Sequence, residues 1–151
     1  QESLNKELIF FNNKEPEIIH AWTPREIVRK QHEKLKEKFP NSKLVIHLED
    51  NEEIIIESNL HQTMSELMDY SDEKLESLIP ENLSHPFRYK SFLESSSACT
   101  IIIDKLKEFV PPEIRTMILW PIIDFNRFNI KNNSELRKNY KIKSNEIVIY
   151  Y

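Results

Sequence analysis

The chain has 151 residues, 39% hydrophobic and 30% charged, with 21 basic against 25 acidic side chains and a net charge of −4. That is the length and balance of about one domain able to bury its own core without a disulfide or metal staple, and the acidic balance argues against a general binder of nucleic-acid backbones. The count of zero glycines, where average usage would supply about ten, excludes a P-loop and a GxGxxG dinucleotide fingerprint, because both need glycine to let backbone amides close around phosphate.

In chain order, Leu4, Leu8, Ile9 and Phe11 have spacings that fit one helical face, so a first helix is expected over residues 2–13, stopping before Pro16. Residues 17–22 read as a strand. Thr23-Pro24-Arg25-Glu26 reads as a helix start, with Thr23 capping, Pro24 in the first position and Glu26 completing a capping box. Ile27, Val28, Leu35 and Phe39 mark the buried side of that helix, which ends near Pro40. Lys43–Leu48 is the next strand, after which Asp50 is the expected cap, answered by Glu53, of a helix running through 51–69. Short helices follow at 72–79 and 87–96, separated by a loop from Pro80 to Pro86 that contains His85. The remaining elements are a strand at 99–103, one or two helical turns over Asp104–Phe109, a strand at 115–120, a short helix at 134–140 and a last apolar strand, EIVIYY, at 146–151.

Strands that are nearly continuous runs of Ile, Val and Leu, alternating with helices, predict an α/β fold with a Rossmann-like parallel sheet covered on both faces. A buried-type strand at the very end of the chain predicts that residue 151 is a fragment boundary. An orphan strand there is expected to add to a sheet edge or to pair with its copy, giving self-association through 146–151. No apolar run approaches the roughly 18 to 20 residues of a membrane span, and the first residues do not form a secretory signal. The lone Cys99 suits a reducing cytoplasm, and neither CxxC nor HExxH is present, so no metal site is expected.

In open parallel sheets ligands bind beyond the carboxyl ends of the strands. Those ends deliver Trp22, Thr23 and Arg25, then Glu49 and Asp50, then Asp104, and Asp124 beyond Pro121. An arginine, an aromatic ring and several carboxylates suit a polyhydroxylated ligand such as a sugar, whereas Thr23, Asp50 and Asp104 also stand where helix caps are needed. Glu49 directly before Asp50 makes a like-charged pair that raises the pKa of one member. His20 and His47 inside strands fit neutral, hydrogen-bonded imidazoles. The basic residues Lys131, Arg137, Lys138, Lys141 and Lys143 fit a solvated surface better than a phosphate site.

The segments EPEIIHAWTPR, KLVIHLEDNEE, SFLESSSACTIIIDKLKEF and WPIIDFNRFNIKNNSELRKNYKIKSNEIVIYY, taken in order, resemble the middle of a family 4 glycosyltransferase of the GT-B fold. The resemblance implies an incomplete GT-B N-terminal domain: the later part of an acceptor-side Rossmann-like domain over 1–121, a domain junction over 122–145 carrying Asp124, and the first strand of a donor-binding domain at 146–151. It also implies transfer of a sugar from a nucleotide-sugar co-substrate to an acceptor hydroxyl with retention, without a metal or other cofactor. Thr23, Arg25, Glu49 and Asp50 would then contact the acceptor, no catalytic residue is assigned, and the chain alone would be inactive. Trp22 and Glu49 stand where the family usually has histidine, and Ile122 or Ile123 where its junction has glycine. The rival reading is a non-catalytic α/β module that binds a partner chain, or one subunit of a split transferase.

Overall fold

Four short runs rich in Ile, Val and Leu become four parallel strands. The computed structural model describes residues 14–122 and 134–148. In it β1 (Ile18–Trp22), β2 (Lys43–Leu48), β3 (Ala98–Ile101) and β4 (Thr116–Ile118) form one sheet in the order β1-β2-β3-β4, every pair parallel. Between them lie α1 (Glu26–Lys38), α2 (Glu52–Leu60), α3 (Met64–Met68), α4 (Asp72–Leu78), α5 (Arg88–Glu94) and a 3-10 helix at Asp104–Phe109. The architecture is therefore α/β, a Rossmann-like parallel sheet flanked by helices. The helix expected over 2–13 lies outside the described residues.

Side chains alternate across a sheet, so register decides which residues share a face. Ala21, Ile46, Cys99 and Thr116 lie in one row, and Leu48, Ile101 and Ile118 in the next. With Leu44 they form the core face, packed by Tyr89, Phe92 and Leu93 of α5 and by Leu106 and Val110. A satellite core of Ile56, Leu67, Leu75, Ile79 and Leu83 joins the short helices and their loop. Right-handed crossovers carry consecutive connections over the same face when strands are added in order at one edge.

Among the described residues the opposite face carries no packed helix, and cover by the helix expected over 2–13 lies outside those residues. Ile18, Trp22 and Met117 on that face are 59%, 50% and 62% exposed. Only His47 and Thr100 are buried in its last row, Trp22-His47-Thr100-Met117.

None of the three expected helix caps serves as one. Thr23 adopts a left-handed backbone (φ 74°), and its amide extends the ladder by donating to the His47 carbonyl at 3.0 Å. The cap position of α1 is Arg25, with no side-chain cap bond. The loop before α5 substitutes, since the amides of Glu26 and Ile27 donate to the carbonyls of Leu83 and Glu81 at 3.0 and 2.8 Å. Asp50 yields to Asn51, whose Oδ1 accepts from the amides of Glu53 and Ile54 at 3.1 and 3.2 Å. At the 3-10 helix Ile103, not Asp104, holds the cap position. Asn51→Ala should therefore cost about 1 kcal/mol in urea denaturation. Asp50→Ala should stay within about 0.5 kcal/mol; equal losses would contradict this assignment.

The expected helix through 51–69 is two helices. His61 ends α2 in a left-handed conformation, and Thr63 starts α3 with a complete capping box to Glu66. Thr-x-x-Glu was present in the sequence as a start signal, and it outweighs helix continuity across His61.

Contacts divide the chain into residues 1–120 and 121–151. In the second unit α6 (Ser134–Asn139) is followed by turns in which Arg137 Nη2 donates to the Glu146 carbonyl at 2.6 Å, and the Lys143 amide donates to Glu146 Oε2 at 2.8 Å. Of the strand expected over 146–151, the described residues Glu146, Ile147 and Val148 are irregular. Residues 149–151 lie outside the described residues, as do Asp124 and Lys131.

Candidate functional site at the strand ends

Because all four strands run parallel, their carboxyl ends lie along one edge of the sheet. Arg25 follows β1 at the start of α1; Glu49, Asp50, Asn51 and Glu52 connect β2 to α2. The Arg25 side chain is 30% exposed and reaches the second connection, with Nη2 3.7 Å from Asp50 Oδ2 and Nε 3.5 Å from Glu52 Oε2. The structure thus brings together Arg25 and Asp50. Glu49 is half-buried beside them in sequence, and Thr23 is buried, contributing its amide to the turn from β1. Asp104 follows β3 and is exposed.

Glu52 and Ser84 were not among the residues expected at this edge. Glu52 is 3% exposed, and its Oε2 accepts from Ser84 Oγ at 2.8 Å. Burial pushes its carboxyl above the ordinary carboxylate range, opposed by the Ser84 hydrogen bond and the Arg25 charge and assisted by Asp50. The acid displaced upward at this edge is therefore Glu52. Its Oε1 has no hydrogen-bond partner among the described residues, and neither does Arg25 Nε. One sequence signal pointed to it: Glu52 stands four residues before Ile56, a fully buried core residue on the same helix face. Ser84 comes from a distant loop and had no local signal.

Beneath this edge a second charged group fixes α1 to α5. Glu26, 4% exposed, accepts from Arg29 Nε and Nη2 at 2.7 and 2.9 Å and lies 3.5 Å from Arg88 Nη1. Burial acts to raise its pKa, but the Arg29 hydrogen bond and the Arg29 and Arg88 charges outweigh that and hold it below the usual value. His85, 1% exposed, accepts at Nδ1 from the amides of Phe87 and Arg88 at 3.3 and 3.4 Å, which assigns its proton to Nε2. Burial, with Arg88, holds this imidazole below its ordinary pKa.

On the open face, Thr100 Oγ1 lies 2.8 Å from His47 Nδ1 and 3.3 Å from His20 Nε2, one hydroxyl between two imidazoles. The Trp22 ring covers His47 with centroids 4.2 Å apart. Burial holds His47 below its ordinary pKa, as a neutral strand histidine requires.

Among the described residues no group of three or more His, Cys, Asp or Glu could hold a metal ion, and no helix is long and apolar enough to cross a membrane. Comparisons with protein-family models, curated proteins and solved structures found no match to this chain.

Proposed function

We propose that this chain is the acceptor-side part of an enzyme that transfers a sugar from a nucleotide-sugar donor to an acceptor hydroxyl. The observation that carries this reading is the meeting of one guanidinium, Arg25, with the carboxylates Asp50 and Glu52 at the carboxyl edge of a parallel sheet. Hydroxyl groups both donate and accept, so a mixed edge of this kind matches a polyol better than a purely acidic or basic one. Arg25 donates to acceptor oxygens, while Asp50, exposed, and Glu49, half-buried, accept from acceptor hydroxyls. The resemblance to family 4 glycosyltransferases supplies the rest of the reading: retention, no metal, and a donor held by a second domain.

On this reading the chain binds sugars and not the donor. Saturation-transfer NMR with a monosaccharide panel should show binding that Asp50→Asn weakens, while uridine and guanosine diphosphate sugars show none. Transfer or hydrolysis of a nucleotide sugar by these 151 residues, or the absence of any sugar binding, would overturn it.

A further inference from the structure

A threonine hydroxyl has one proton to give and two lone pairs to receive with. Thr100 is buried, and its Oγ1 stands 2.8 Å from His47 Nδ1 and 3.3 Å from His20 Nε2, so a single hydroxyl proton serves two rings. The histidines come from neighbouring strands, β2 and β1, and their rings meet edge to face with centroids 6.1 Å apart. They differ in access to water. His20 is exposed, whereas His47 is 2% exposed and lies under the Trp22 ring.

Two arrangements satisfy both contacts while the rings are neutral. In the first, His20 donates from Nε2 to Thr100 Oγ1, the hydroxyl donates to His47 Nδ1, and His47 carries its own proton on Nε2. In the second every bond is reversed: His47 donates from Nδ1, the hydroxyl turns to His20 Nε2, and His20 carries its proton on Nδ1. A charged His20 has protons on both nitrogens, so it permits only the first. Two charged rings would both donate to Oγ1 and leave the hydroxyl proton unanswered at a buried site, a loss added to the repulsion between the two cations.

We propose that His20, Thr100 and His47 form a one-proton switch: a proton taken up from solvent by His20 turns the Thr100 hydroxyl toward His47, fixes the proton of His47 on Nε2 and keeps a second charge out. The switch carries a change in solvent pH to a buried ring at the carboxyl end of β2. Nothing in it depends on what the strand ends bind. Strand alternation puts Lys43 and Arg115 on the same face, in rows nearer the amino edge than His47, and Glu49 just beyond the end of β2, while β3 adds no charged residue. Burial opposes a charge on His47, Glu49 favours it, and His20 adds to the opposition.

Two-bond 1H–15N NMR spectra of the full chain distinguish the protonated from the bare ring nitrogens of each histidine. In a titration from about pH 8 to about pH 5, His47 Nδ1 should shift to the bare-nitrogen position at the midpoint at which His20 becomes charged. His47 itself should charge only at lower pH. Thr100→Val, close to threonine in shape, should break the link, with His20 still charging and His47 Nδ1 no longer following. Thr100→Ser restores the hydroxyl and should restore the link. His20→Gln, at an exposed position, removes the titrating ring and should leave the His47 tautomer independent of pH until His47 itself is charged.

A His47 tautomer that stays constant while His20 charges would overturn the switch. So would one midpoint shared by both rings, or the wild-type response in Thr100→Val. Should Thr100→Val fail to fold, His20→Gln decides alone: a His47 tautomer that still changes at the wild-type midpoint means that His20 does not drive it.

Discussion

Glu26→Ala should destabilise the fold by about 3 kcal/mol, the cost of stranding the partner of a buried carboxylate. Arg29 is only 16% exposed and would lose both of its bonds to Glu26, while Arg88 would lose a partner 3.5 Å away. The exposed pairings of Arg29 with Glu33 and of Arg88 with Glu76 remain, so the loss belongs at the lower end for such groups. Glu33→Ala, at an exposed partner of the same arginine, should cost less than about 1 kcal/mol. Acid sets the sign of the pH dependence. The folded-state pKa of Glu26 is lowered, so its contribution is complete above its ordinary value of 4.5 and is lost as pH falls through the folded value. Urea midpoints of wild type and Glu26→Ala should therefore converge at low pH, and a gap that widened in acid would contradict the ion-pair account.

Ile46→Ala should cost about 2 to 5 kcal/mol, because Ile46 is wholly buried in the middle of β2 on the core face. Ile18→Ala, on the open face and 59% exposed, should cost no more than about 0.5 kcal/mol. Both residues are isoleucines in strands of the same sheet, so their chemistry is matched and only the face differs. Equal losses in urea denaturation would mean that the two faces are covered alike.

The sequence made the strands and their parallel arrangement legible because β-branched runs alternate with helical patterns. It could not say which face of each run is covered, since a run of Ile, Val and Leu has the same composition on both sides. Helix starts were misread for a different reason. Thr23-Pro24-Arg25-Glu26 has good local capping chemistry, but the carbonyls of Leu83 and Glu81, more than fifty residues away, already take the first amides of α1. Asp50 and Asn51 are adjacent and equally able to cap; the choice depends on β2 ending at Leu48.

At the site, Arg25 and Asp50 could be expected from their positions after β1 and β2. Glu52 looked like one more acid in a solvated run. What makes it different is its burial beside Ser84, a contact made across 32 residues of sequence. Local pattern carries no trace of a partner so distant.

The strand order β1-β2-β3-β4 has a consequence for how the protein is made. Each strand's partner is the strand synthesised just before it, so the ladder can grow by accretion at one edge as the chain leaves the ribosome. No strand has to be threaded between two that are already joined. The slow step in such growth is the wait for β3, because α2 to α5 must first be made and packed before β3 can meet β2. Among the described residues β4, only three residues long, is the last strand to join.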